Sequence, residues 1–83
     1  DEGRPGPVRV EVAWSIGRHR FRDAIGHLQN ALGDGDCRVG AAAAWALARI
    51  GDPAVVDALE AAVAGPCRLT SQAATWALSE IPH

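Results

Sequence analysis

Apolar and small residues recur along this chain at helical spacing, and the stretches that show it are separated by short runs of Gly, Asp and Pro. The clearest stretch is residues 41–53, AAAAWALARIGDP. With Val39 at zero and about 100° per residue, Ala43, Ala46, Leu47 and Ile50 fall within a sector about 100° wide. Gly51 then supplies a residue that can turn left-handed after a helix. Asp52 offers an N-cap oxygen, and Pro53 occupies a first helical position whose N–H would be unbonded in any case. One helix is thus expected to end and another to begin within two residues. The same reading predicts helices over about 7–18, 22–32, 37–50, 53–64 and 69–81.

The pattern repeats. Trp14, Trp45 and Trp76 are each 31 residues apart, the signature of a stacked architecture. Aligning on them superimposes Val8 and Arg9 on Val39 and Gly40, and Ile16 on Leu47 and Leu78. Ala24, Ile25, Leu28, Ala31 and Leu32 fall on Val55, Val56, Leu59, Ala62 and Val63. Each unit is therefore a first helix, A, and a second helix, B, closed by a Gly/Asp/Pro turn.

The stretch AAAAWALARIGDPAVVDALEAAV, with Asp34-Gly35-Asp36 leading into it, resembles a HEAT-like repeat of the phycobilin-lyase type, roughly VRxxAAxALGxIGD followed by a second amphipathic helix. The resemblance covers about residues 7–81. Arg9 keeps the arginine of that pattern, Gly40 replaces it in the second repeat with Arg38 displaced, and the third repeat reads Thr70-Ser71-Gln72 and lacks its B helix. It implies an all-α fold, an α-α superhelix (armadillo-like α-solenoid) of about two and a half helical hairpins. Residues 1–6 are read as a disordered leader and 7–83 as the repeat domain. It implies no single activity, because such repeats occur in scaffolds, in lyases and in metal-dependent hydroxylases alike.

Packing expectations follow from the stripes. The A-helix stripe should face Val55, Val56, Leu59 and Val63 of helix B, and the many alanines should let helices approach closely. Trp45 lies opposite its B-facing stripe, so the three tryptophans are read as an inter-repeat ladder rather than a ligand-stacking platform. The last helix, with Thr70, Ser71, Gln72, Thr75, Ser79 and Glu80, reads as a polar cap. Val10, Val12 and Trp14 leave the first helix apolar on several sides, so self-association or continuation into a longer array is expected through that end.

Charge and composition narrow the classes of function. The formal net charge is −2 and every basic residue is arginine, so the molecule as a whole has no pull toward nucleic acid or membranes. The chain has no run of membrane-spanning length and no methionine, and a cytoplasmic location is the default. Cys37 and Cys67 stand just before helices in successive repeats, about one helix diameter apart, and are read as free thiols. His19, His27 and His83 carry no ligand spacing, and no Ser-His-Asp set, phosphate loop or carboxylate pair is present. No metal and no cofactor are expected.

One stretch breaks the repeat, residues 18–22, RHRFR. Three arginines around an aromatic could hold phosphates or an acidic partner and stack a planar group; a drifted terminal repeat is the plainer alternative. Arg18, Arg20, Phe21, Arg22 and His27 are the candidate binding residues. The inner surface of B helices would show Asp23, Gly26, His27, Asn30, Ala54, Asp57, Ala58 and Ala61, small enough for a partner helix to come close. The leading expectation is a non-catalytic module that binds another protein or neighbouring repeats. Contact with nucleic-acid phosphate through the 18–22 rim is the second reading, and a fragment of a bilin-lyase-like or other HEAT-bearing enzyme the third.

Overall fold

The computed structural model describes residues 6–19 and 22–81, with the backbone alone at 6–9, 17 and 22. Among the described residues there are five α-helices: α1 Gly6–His19, α2 Ile25–Leu32, α3 Cys37–Ile50, α4 Val56–Val63 and α5 Arg68–Glu80. Among the described residues there is no strand. The helices form two layers. α1, α3 and α5 lie side by side with α3 in the middle; α2 packs beneath α3 and α4 beneath α5. Each B helix is thus nearest the A helix of the following unit, whereas the stripes alone had paired it with the A helix of its own.

The turns form for the reasons the residues suggest. Gly51 adopts φ 73°, ψ 19° and ends α3, with its N–H donating to the Leu47 carbonyl. Asp52 accepts from the Ala54 N–H at 2.9 Å. Upstream, Asp34 accepts from the Asp36 N–H at 2.8 Å, and Asp36 in turn caps α3 by accepting from the Arg38 N–H at 3.0 Å. Both B helices are entered through a single 3-10 turn, Arg22–Ala24 and Pro53–Val55, rather than as one continuous α-helix.

α3 carries the core. Val39, Gly40, Ala42, Ala43, Ala44, Ala46, Leu47 and Ile50 are all buried, because this helix has neighbours on three sides. Leu28, Leu47, Leu59, Val39 and Val55 are the largest side chains wholly removed from water. Gly40 has a specific task. A Cβ there would meet the Thr70 hydroxyl and lie 2.9 Å from its Cγ2, so only glycine lets α5 come this near. Thr70 itself is buried, and its hydroxyl donates to the Cys37 carbonyl at 3.1 Å. Ser71 donates to the Val63 carbonyl at 2.8 Å, tying α5 to the end of α4.

Two expectations need correction here. Cys37 and Cys67 are disulfide-bonded, with Cα atoms 5.5 Å apart, not free. An axis separation of about 10 Å overstates the gap, since Cα atoms on facing sides are closer by two helix radii of about 2.3 Å. Nor is α5 simply a polar cap. Thr70 and Ser71 bind inward, while Gln72, Thr75, Ser79 and Glu80 are exposed. At the other edge, Ala13 is buried and Val10 and Val12 are half-buried, so much of the apolar surface of α1 turns inward.

Candidate functional site

Arg38, Ala41, Ala42, Trp45 and Arg49 fall on one face of α3, since eleven residues at about 100° each return almost to the starting direction. That face looks away from the B layer. Its alanines are short, so α3 is recessed there between two bulkier neighbours. The result is a groove of about 460 Å³. Ala41, Ala42 and Ala73 form its floor, Val10 and Trp14 one wall, and Leu69 and Trp76 the other. Trp45 closes it toward the C-terminal end of α3, and Arg38 stands at the opposite end.

Local sequence explains each wall. Trp14 is one repeat before Trp45, and their rings meet with centroids 4.1 Å apart at an interplanar angle of 56°, a tilted aromatic contact. Trp76 is one repeat after. The ladder reading is therefore half of what is found: Trp14 and Trp45 make a rung, yet Trp14 is 38% and Trp76 43% exposed, and Leu69 reaches 52%. These are the exposed large hydrophobic side chains among the described residues.

Cations border this strip. The Arg49 guanidinium sits 5.6 Å from the centre of the Trp45 ring, within cation–π range. Arg38 donates to both oxygens of Asp36, at 3.1 and 2.8 Å. That hydrogen bonding, and then the carboxylate charge, hold its guanidinium above the usual arginine value. Arg18, one turn beyond Trp14, is exposed. No carboxylate among the described residues lines the groove; the exposed Glu11 and Glu80 are on α1 and α5.

A second groove, of about 490 Å³, opens between α2 and α4. Gln29, Leu32, Ala58, Ala61 and Ala62 line it, with Cys67 and Thr70 at its base. Of the expected inner surface only Ala58 and Ala61 reach it. Asp23, Gly26, His27, Asn30, Ala54 and Asp57 are exposed outside it.

Of the candidate binding residues Arg18, Arg20, Phe21, Arg22 and His27, the structure describes the side chains of Arg18 and His27. Arg18 is exposed at the end of α1, and His27 is exposed on α2. Arg20, Phe21 and the Arg22 side chain lie outside the described residues. Among the described residues no group of three or more His, Cys, Asp or Glu could hold a metal ion, and no helix is long and apolar enough to cross a membrane. Arg38, Trp45, Arg49, Leu69 and Trp76 were missed as a set. Their signal lay in the i, i+4, i+7, i+11 spacing along α3, which groups Arg38 and Arg49 with the tryptophan.

The family model for HEAT repeats matches residues 2–79, and the chain belongs to that family. No curated protein and no solved structure matched it significantly.

Proposed function

We propose that this HEAT-repeat chain is a non-catalytic protein-interaction module and that its contact face is the groove over α3. HEAT repeats commonly mediate contacts between proteins, and the observation that supports this particular face is the cluster of Trp14, Leu69 and Trp76 around one concavity. Fully burying one such side chain from water is worth about 1.5–3 kcal/mol, and each keeps roughly half its surface exposed, so three together favour being covered. The Cys37–Cys67 bridge favours an oxidising compartment over the cytoplasmic default.

Leu69→Asp together with Trp76→Ser tests the reading, because both side chains are exposed and their loss spares the core. Binding of an amphipathic helical peptide, followed by intrinsic fluorescence, should be lost while the circular dichroism of the variant stays that of the parent. Unchanged binding in that variant, with loss on Ala61→Arg instead, would move the interface to the α2–α4 groove.

A further inference from the structure

We infer that the groove over α3 is built for one kind of occupant: an amphipathic helix of a partner protein that carries a carboxylate at each end of its apolar stripe. This rests on the docking reading above and adds the chemistry of the partner. Three observations carry it. The groove runs along α3 between α1 and α5 with an alanine floor, and small residues are what allow a second helix to come close. Its walls are apolar, and no carboxylate among the described residues lines it. Arg38 and Arg49 lie on the same face of α3, at either end of the alanine and Trp45 stretch, eleven residues apart. At about 1.5 Å per residue that is about 16 Å, or three helical turns.

An occupant lying along α3 meets these features in order. Its apolar side chains, at i, i+3, i+4 and i+7, sit over Ala41 and Ala42 and between Trp14 and Trp76. One carboxylate reaches Arg49, just beyond the lining of the groove, whose guanidinium lies over Trp45 and can donate a fork-like pair of hydrogen bonds to it. The other reaches Arg38, which is 60% exposed in its side chain although one edge is held by Asp36. A basic helix would instead place cations against both arginines. Selection between an acidic and a basic segment thus comes from repulsion as much as from attraction.

All three tryptophans of the chain border this groove, so intrinsic fluorescence reports its occupancy directly. The probes are three alanine-based peptides of about five helical turns with the same leucine stripe. They carry glutamate, lysine or glutamine at the two positions eleven residues apart. The glutamate peptide should bind at least tenfold tighter than the lysine peptide at low salt, with glutamine between them. The preference should shrink as salt is raised. Arg49→Glu, an exposed change, leaves one cation and one anion at the two ends and should bring the charged peptides to nearly equal affinity while leaving the helical signal intact. Equal, salt-insensitive binding of all three would overturn the charge assignment and leave the docking reading standing. Binding by none of them would overturn both. Tight binding to vesicles of anionic phospholipid, with no discrimination among the peptides, would replace a protein partner by a lipid surface.

Discussion

Gly40→Ala is the substitution in which this architecture is most exposed to test. In an isolated helix the change is favourable by about 1 kcal/mol, because alanine loses less backbone entropy than glycine. Here the added Cβ meets the Thr70 hydroxyl and lies 2.9 Å from Thr70 Cγ2 and 3.1 Å from Thr70 Cβ, where carbon pairs prefer about 3.5–4.0 Å. Thr70 is 2% exposed, and a β-branched side chain in a helix has few rotamers to escape into. Either α5 backs away from α3 or the threonine turns and gives up its bond to the Cys37 carbonyl. Overpacking of this kind costs about 1–3 kcal/mol, and the lost hydrogen bond about 1 kcal/mol more. The net expectation is a destabilisation of about 1–3 kcal/mol, or a Tm lower by roughly 5–20 °C in a domain of this size. The measurement is thermal and urea unfolding by circular dichroism, with Gly26→Ala as the internal standard. Gly26 is exposed on α2 with nothing within 4 Å of an added Cβ, so that change should stabilise by about 0.5–1 kcal/mol. Adding Thr70→Ala should relieve Gly40→Ala, leaving a coupling of about 1–2 kcal/mol between the two sites. Equal stabilisation by Gly40→Ala and Gly26→Ala would refute the close approach of α3 and α5.

Leu59→Ala, at a side chain fully buried on α4, should cost about 2–5 kcal/mol; a loss below 1 kcal/mol in urea unfolding would mean that the B layer does not close the core. Reduction of Cys37–Cys67, or Cys67→Ser, opens a cross-link of sequence separation 30 and should lower stability by about 3–4 kcal/mol on loop entropy, seen as a lower Tm in reductant and no effect of reductant on the variant. A generic single-stranded oligonucleotide at low salt should bind negligibly. An affinity that falls steeply as salt is raised, and binding that vanishes when Arg18, Arg20 and Arg22 are all changed to Glu, would instead establish the phosphate reading of the rim.

Much of the fold is legible because its signals are local. Gly51, Asp52 and Pro53 each have one conformational use at a helix junction, and they perform it. Val39, Ala43, Ala46, Leu47 and Ile50 share a face in any α-helix, so their joint burial needs only the period of the helix and a partner layer. What depends on distances between elements is not legible in this way. The cysteine pairing turns on how far α5 is drawn toward α3, and that is set by the fit of Gly40 against Thr70, thirty residues away. The same fit makes sense of Gly40 standing where the repeat pattern has arginine. Thr70 and Ser71 read in sequence as hydroxyls facing water; only the positions of the Cys37 and Val63 carbonyls show them to be interhelical donors. The tryptophans are periodic in sequence whether they are covered or open, so their spacing reveals a stack but not its exposure.

The alanines of α3 act in two opposite directions, and this links the stability of the chain to its groove. On the sides toward α1, α2 and α5, small residues let three helices close on a central one. On the outward face the same smallness leaves the middle helix lower than its neighbours, and that depression is the floor of the groove. Its shape therefore depends on how firmly α1 and α5 are held at their present height. α5 is fixed near its start by three mutually supporting contacts: the disulfide from Cys67, the Thr70 bond to the Cys37 carbonyl and the Gly40 fit. Leu69 sits among them and Trp76 lies two turns further along the same helix, so one wall is anchored before any partner arrives. α1 is held by Ala13 and the Trp14–Trp45 contact, with no cross-link among the described residues. On the docking proposal, a partner helix would lose little binding energy to ordering the α5 wall, and any adjustment to it would fall to the α1 side.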